Sequence, residues 1–334
     1  ATTRATSASR AWWRGGSADA QPPCGWCVVS AGVRGHAVSD GVGSTMARLA
    51  ILSDIHGNLP ALEAVMADLA ERRVEQVIVA GDLINWGPFS AQVLARVREA
   101  GWATIRGNHE LILLDYGTPR EPAIWADRGA FPVPHWLQRQ IPPALKLAIA
   151  LWPDTLVVYP PDAPPLRIVH GSPRDHAELI YPHITEEELA PLLAGIAEAT
   201  IVGGHTHRPM DRQIGRWHVL NPGSVGMMLD GDHRASYLIL DGDATGWRGE
   251  LRRVPYDKAP LFAEFARLGF VEECGLIGAL VVEEFATARI RIAPFLRWRA
   301  ALSQDAPFDD ATLARFRTVD PEDYMPVGHR LPPI

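Results

Sequence analysis

Leu49-Ala50-Ile51-Leu52-Ser53-Asp54-Ile55-His56-Gly57-Asn58-Leu59-Pro60 passes from an apolar run to a polar cluster and then to a helix start. The run Leu49 to Ser53 predicts a buried strand. Pro60 suits the first turn of a helix, where its missing N–H would have no partner in any case. Leu62, Val65, Met66 and Leu69 then follow i, i+3, i+4, i+7 spacing, which puts them on one apolar helix face. Working outward, Gln76 to Ala80 and Ala103 to Arg106 read as further strands, with Ser90 to Ala100 as the helix between them. The order is β-α-β-α-β, with right-handed crossovers expected.

The second half is richer in strands: Thr155 to Tyr159, Leu166 to Val169, Thr200 to Gly203, Trp217 to Leu220, Ser236 to Asp241 and Trp247 to Val254. Thr185 and Glu188 form a capping-box pattern ahead of Leu189, Leu192, Leu193 and Ile196, which mark another core-facing helix. This order predicts an α/β fold in which two packed sheets are flanked by helices. Residues 46–256 would form that domain, with a helical insertion at about 111–150 and a C-terminal helical extension over 257–334. The insertion carries Trp125 and Trp136 and could cap a site or simply fill a sheet edge.

Residues 1–45 are rich in Ala, Arg, Ser and Gly, show no sustained periodicity, and read as a disordered or non-native extension, with translation expected to begin at Met46. Arg4, Arg10 and Arg14 suggest a targeting peptide instead, but no compact apolar region of adequate length follows them. Cys24 and Cys27 have the spacing of half a zinc site or a redox pair, yet no second such pair exists among the three cysteines, and they read as incidental cysteines in a loose tail. Cys274 is left without a partner, so no disulfide framework is expected. No apolar run approaches the roughly 18 residues of a membrane span, and a cytoplasmic location is expected. The net charge of -7 supplies no basic field for nucleic acid.

Chemistry-bearing residues sit at the carboxyl ends of these strands, where open α/β sheets place their sites. Asp54-Ile55-His56 follows the first strand and Gly81-Asp82 the second. Gly107-Asn108-His109-Glu110 follows the third, and His170-Gly171 and Gly203-Gly204-His205-Thr206-His207 follow later ones. In an extended segment residues i and i+2 face the same way, so Asp54 with His56 and His205 with His207 are expected to converge. Carboxylate, imidazole and amide oxygen together suit borderline or hard divalent cations such as Mn²⁺, Fe²⁺ or Zn²⁺. A DxH or HxH pair by itself is often an accident of a turn. Five blocks in a fixed order are not.

In that order, DxH, GD, GNHE, H and GHxH resemble the signature of the calcineurin-like metallophosphoesterases. Trp86-Gly87-Pro88, His170-Gly171-Ser172-Pro173 and Asn221-Pro222-Gly223-Ser224-Val225-Gly226 are similar to the compact bacterial phosphodiesterase branch. The resemblance implies a four-layer αββα sandwich and two divalent ions, Mn²⁺ first, with Fe²⁺, Zn²⁺ or Ni²⁺ as alternatives. It implies Asp54, His56, Asp82 and His207 on one ion and Asp82, Asn108, His170 and His205 on the other, with Asp82 bridging. A pair of ions about 3.5 to 4 Å apart can lower the pKa of a water between them, and the resulting hydroxide attacks phosphorus in line. His109 matches the non-ligand histidine that protonates the leaving oxygen or stabilises its charge; its alternative role is to orient Asp54.

The expected substrate is a small or nucleotide-like phosphate mono- or diester. Arg106 and Arg174 are candidates for phosphate contact or for surface ion pairs, whereas Glu110, His176 and His183 read as helix-end or solvated residues. Ser224 is expected to stabilise its turn. Two other readings use the same fold: a protein phosphatase, and a non-catalytic interaction module like the retromer subunit with its degraded metal site. The complete ligand set and His109 favour an enzyme over the module. Nothing in the sequence specifies an oligomeric state.

Overall fold

The computed structural model describes residues 27–30, 47–303 and 307–325. Its strands are β1 (Cys27–Ser30), β2 (Ala47–Leu52), β3 (Gln76–Val79), β4 (Ala103–Thr104), β5 (Leu156–Tyr159), β6 (Leu166–Ile168), β7 (Thr200–Val202), β8 (Met210–Ile214), β9 (Trp217–Asn221), β10 (Ala235–Asp243) and β11 (Gly246–Val254). One sheet runs β11-β10-β2-β3-β4, with β2, β3 and β4 parallel as the β-α-β-α-β pattern requires. The other runs β1-β5-β6-β7-β9-β8.

The alternation of apolar residues on β2 explains the layering. Leu49 and Ile51 point between the sheets, where they meet Val158, Ile168, Val202, Leu220 and Leu240. Ala50 and Leu52 point the other way, into a cluster with Leu62, Val65, Val93 and Val97 of the helices α1 (Leu59–Ala70) and α2 (Ser90–Glu99). On the far side, α7 (Glu186–Leu192) packs Leu189 against Ile201 and Val219 of the second sheet. The result is helix, sheet, sheet, helix. Thr185 and Glu188 form the reciprocal capping box read from the sequence.

The segment after β4 folds as α3 (Asn108–Asp115), α4 (Ala123–Ala126), α5 (Val133–Gln140) and α6 (Pro143–Ala150). Beyond β11 come α8 (Ala259–Arg267), α9 (Phe270–Thr287), α10 (Ile292–Leu302), α11 (Asp310–Phe316) and a 3₁₀ turn over Pro321–Tyr324. Trp136 of α5, Phe270 of α9 and Phe295 of α10 belong to the same apolar cluster as α1 and α2. These helices therefore extend the core on the outer face of the first sheet.

Two strands lie where the sequence reading has none. β8 makes a hairpin with β9, and its Met-Asp-Arg-Gln-Ile pattern buries only its ends, so the apolar signal is short. Cys27–Ser30 pairs antiparallel with β5 at a sheet edge; its Cys-Val-Val-Ser run is apolar but only four residues long, too short to show a sustained period. The rest of residues 1–45, including Cys24 and the arginines read as a possible leader, lies outside the described residues.

Asp68 on α1 ties the helix layer to the first sheet. It accepts from Arg72 at 2.6 Å, from the Tyr237 hydroxyl and from Arg252 at 3.3 Å. Burial works against its ionisation, but these donors outweigh burial and hold the carboxyl at about 2. A depressed carboxylate contributes stability above its unfolded pKa, and that stability is lost as pH falls through the folded value. Asp68→Asn is expected to cost about 1 kcal/mol at neutral pH after solvent screening. In urea titrations the difference from wild type should narrow as pH drops from 3.8 towards 2.

Candidate metal centre

Pairing of the parallel strands continues into the loops that follow them. Asp54 N donates to Gly81 O at 3.1 Å, His56 N to Asp82 O at 3.0 Å and Gly57 N to Leu83 O at 2.8 Å. Gly204 N reaches His170 O at 2.8 Å, and Gly226 N reaches Asp54 O at 3.0 Å. Loops from both sheets are thereby laced together at one end of the sandwich. Gly107 must be glycine for this closure, because a Cβ there would meet Asp82 Oδ1 and lie 2.6 Å from Asp82 N.

The backbone corrects one expectation. Asp54, His56, His205 and His207 do not converge by alternation along extended chain; their φ values are 55°, 46°, 65° and 57°, and Asp82 has 55°. All five lie in the left-handed region, which costs non-glycine residues about 1 to 3 kcal/mol each. Asp, Asn and His tolerate this region better than most residues. Their side chains meet because tight turns aim them inward, and the inter-loop hydrogen bonds hold those turns.

Every residue of the expected ligand set reaches one cluster. His207 Nε2 lies 3.0 Å from His56 Nε2 and 3.3 Å from Asp54 Oδ1. His170 Nε2 lies 3.1 Å from Asp82 Oδ2 and 3.0 Å from Asn108 Oδ1. His56 Nε2 is 3.7 Å from Asp82 Oδ2, which places Asp82 between the two groups. Sets close enough to share an ion are Asp54 with His56 and His207, His56 with Asp82 and His109, and Asp82 with His170 and His205.

Second hydrogen bonds fix which nitrogens face the cluster. His170 Nδ1 donates to Ala80 O at 2.7 Å and His207 Nδ1 to Met227 O at 2.5 Å, leaving both Nε2 lone pairs inward. His205 Nε2 donates to Ala177 O at 3.2 Å, which leaves its Nδ1 for the cluster. The carboxylates are oriented similarly: Asp54 Oδ2 accepts from His205 N and Asp82 Oδ1 from His109 N. Asp54 Oδ1 is buried with no hydrogen-bond partner. With His170 and His207 neutral in these tautomers, Nε2 lone pairs face carboxylate and amide oxygens at about hydrogen-bond distance, an arrangement that a bound cation satisfies in place of a proton.

Charge agrees with geometry. Burial disfavours the Asp54 carboxylate, but His207 overcomes it and the group sits at about 2. Burial also works against Asp82, yet His170 and His109 hold it well below the carboxylate range. Burial would lower His170, but Asp82 and Asp54 raise it to about 10. Burial and the neighbouring His170 push His205 down to about 3. Burial lowers His56 as it does His205, whereas against burial Asp54 raises His207, so the carboxylates hold positive charge within the cluster. Two ionised carboxylates, an amide oxygen and four imidazoles fit a divalent ion of borderline hardness.

His109 sits at the rim of this cluster, its Nε2 3.9 Å from Asp82 Oδ2, and burial lowers its pKa. Its Nδ1 accepts from the Asn85 side-chain amide at 2.7 Å, while Asn85 Oδ1 accepts from Trp86 N. A neutral His109 therefore carries its proton on Nε2, facing the cluster. Among the described residues its side chain makes no hydrogen bond to Asp54, so the geometry gives no support to the orienting role.

Asn85 is not singled out by sequence, and of the two sequence-based readings of Glu110 the helix-end one holds, at the third position of α3, while the solvated one does not. Asn85 lies within three residues of Asp82, and asparagine's tolerance of left-handed backbone was the available signal; its φ is 71°. Glu110 is wholly buried rather than solvated. Its Oε2 accepts from Asp82 N and Gly107 N, and its Oε1 from Leu83 N, at 2.7 to 2.9 Å. Burial and the Asp82 charge raise its pKa to about 7 against the pull of those N–H donors. Glu110→Gln turns an NH₂ towards these donors and should cost about 2 kcal/mol in urea unfolding.

The remaining candidates fall outside the cluster. Arg106 pairs with Asp154 at 2.6 Å, Arg174 pairs with Glu178, and His176 lies 3.1 Å from Asp154. His183 stacks on Tyr181. Ser224 Oγ donates to Asp54 O and accepts from Met227 N, both at 2.7 Å, and so braces a turn behind the site.

The calcineurin-like phosphoesterase superfamily domain matches residues 47–245. The chain is 28% identical over 206 residues to the phosphodiesterase YfcE of Escherichia coli, covering 59% of this chain and 89% of that one. It is 26% identical over 229 residues to an uncharacterised protein of Methanocaldococcus jannaschii, covering 63% of this chain and 88% of that one. A crystal structure of a metallophosphoesterase from Sphaerobacter thermophilus superposes with a TM-score of 0.57 at 26% identity, over 73% of this chain and all of that one. The match covers more than half of the chain and contains every residue of the cluster, and the chain accordingly belongs to the calcineurin-like phosphoesterase superfamily.

Proposed function

We propose that this metal-dependent phosphoester hydrolase works through a dinuclear centre, with Asp54, His56, Asp82 and His207 holding one ion and Asp82, Asn108, His170 and His205 the other. The observation that carries the reading is the position of Asp82 Oδ2, 3.1 Å from His170 Nε2 and 3.7 Å from His56 Nε2. One carboxylate oxygen within reach of both groups is what a bridging ligand requires. The same reading takes residues 46–256 as the catalytic domain. When bound, the ions supply Lewis acidity and an activated water.

The chain's own residues supply the rest. Asn85 holds His109 in the tautomer whose Nε2–H faces the cluster, so His109 can give a proton to the leaving alcohol. Trp86 packs against the outer side of that imidazole, with ring centroids 5.2 Å apart, and excludes water from it. Small or nucleotide-like phosphate esters are the proposed substrates, and Mn²⁺ the first metal to test. Elemental analysis of purified protein should be followed by mono-, di- and cyclic phosphate esters assayed with Mn²⁺, Zn²⁺, Mg²⁺ and Ni²⁺. About two ions per chain and turnover that EDTA abolishes are expected. Protein that binds a single ion at saturation, or that cleaves none of these esters with any metal, would refute the proposal.

A further inference from the structure

We infer that Trp86 and Trp125 form a seat for a flat ring on the leaving group, so that the favoured substrates are phosphate esters whose departing alcohol is aryl or nucleoside. This rests on His109 standing at the leaving-group side of the reaction. The ring contacts of the cluster imidazoles among the described residues are with one another and with Trp86. A group leaving past His109 therefore meets the Trp86 indole next. Trp125 lies beyond it, with centroids 6.4 Å apart and planes tilted by 49°.

Trp86 is buried to 9% exposure and its indole belongs to the apolar cluster of α1 and α2, but packing alone does not account for its backbone. Its φ of 63° follows the 71° of Asn85, so two consecutive non-glycine residues lie in the left-handed region. A bulky side chain is an outlier there, and such strain persists only where surroundings over-determine it. The surroundings do so here. Asn85 N donates to Ser90 Oγ at 3.1 Å and Gly87 N to His56 O at 3.0 Å. One strained dipeptide thus sets the His109 tautomer through Asn85 and places an indole beside the same imidazole. An ordinary core position could present an indole without that cost.

Trp125 is only partly buried and comes from the segment between β4 and β5. It is braced by Phe131 at 5.6 Å, which in turn meets Phe308 at 5.7 Å. These contacts hold the second indole beside Trp86, on the side of it away from the imidazoles in the chain of ring contacts. The insertion thereby acts as a specificity wall.

Two readouts test this on the full-length Mn²⁺-loaded protein. The first is kcat/KM for the phenyl and hexafluoroisopropyl esters of methyl phosphate, whose leaving alcohols are similar in acidity. The second is calorimetric binding of uncleavable benzylphosphonate against butylphosphonate, with tryptophan emission followed in parallel. A preference for the ring-bearing member of about tenfold is expected in both, with quenching of emission by benzylphosphonate. Trp125→Leu should reduce both preferences to near unity, and Trp125→Phe should retain most of each. Equal treatment of the paired ligands by wild type, or an unchanged preference in Trp125→Leu, overturns the inference. If Trp125→Leu does not fold, Trp125→Phe and the wild-type preference decide. Failure to hydrolyse either ester would count against the phosphoesterase centre, whereas the calorimetric preference would still report on the seat.

Discussion

Asp82→Asn is expected to lower kcat/KM on the order of a thousandfold or more, about 4 kcal/mol of transition-state stabilisation, and to weaken both metal sites together. The substitution is nearly isosteric, and an asparagine oxygen can still accept from His109 N as Asp82 Oδ1 does at 2.9 Å. The loop therefore keeps its anchor while the shared negative charge is lost. Asp54, the other carboxylate of the cluster, is set towards one side: its Oδ1 is 3.3 Å from His207 Nε2 but 4.0 Å from His170 Nε2. Elemental analysis at rising Mn²⁺, beside a thermal melt to confirm folding, separates the possibilities. Loss of one ion with the other held at wild-type affinity would show that Asp82 is not shared.

His109→Ala should divide metal from turnover. His109 is bonded through Nδ1 to Asn85 and by its backbone N–H to Asp82, and the proposed ligand set is complete without it. Metal content should stay at the wild-type level. Turnover should fall by about 10² to 10⁴ on esters of poorly acidic alcohols, which need a proton as they leave. A nitrophenyl ester, whose leaving group departs as a stable anion, should lose far less. The diagnostic quantity is this dependence on leaving-group acidity. A uniform loss across both ester types, or an equal loss of bound metal, would assign His109 a structural role instead.

The two substitutions differ because the residues face the cluster differently. Asp82 contributes an oxygen between the two groups, whereas His109 presents a donor from the rim, held by Asn85 and walled by Trp86. Glu110 stands behind both. Through Asp82 N, Leu83 N and Gly107 N it joins the loop bearing Asp82 to the start of α3, which bears Asn108 and His109. Its replacement should therefore be read first as a stability change, with any loss of activity following from loops that no longer meet.

Much of the architecture was legible because it follows from local periodicity. Leu49 and Ile51 against Ala50 and Leu52 declare a strand buried on both faces, and Leu62, Val65 and Leu69 declare one helix face. Thr185 and Glu188 announce their helix by a hydrogen-bond pattern only four residues long. β8 was not legible, since Met210 and Ile214 are buried while Asp211 and Gln213 between them are exposed. A short amphipathic hairpin of that kind is specified by its partner strand more than by its own composition.

The sequence by itself supplied the inventory of proposed ligands: Asp54, His56, Asp82, Asn108, His170, His205 and His207, in an order and with glycine neighbours that mark the family. It could do so because each ligand stands at a strand end, and strand ends are encoded locally. Tertiary structure alone decided how the ligands converge. The left-handed turns at Asp54, His56, Asp82, His205 and His207 are unfavourable for an isolated chain, and they persist because hydrogen bonds between loops of two packed sheets hold them. Tertiary structure likewise selected Asn85, Glu110 and Trp86 as the residues around His109, since each acts through a partner brought near only when the loops close.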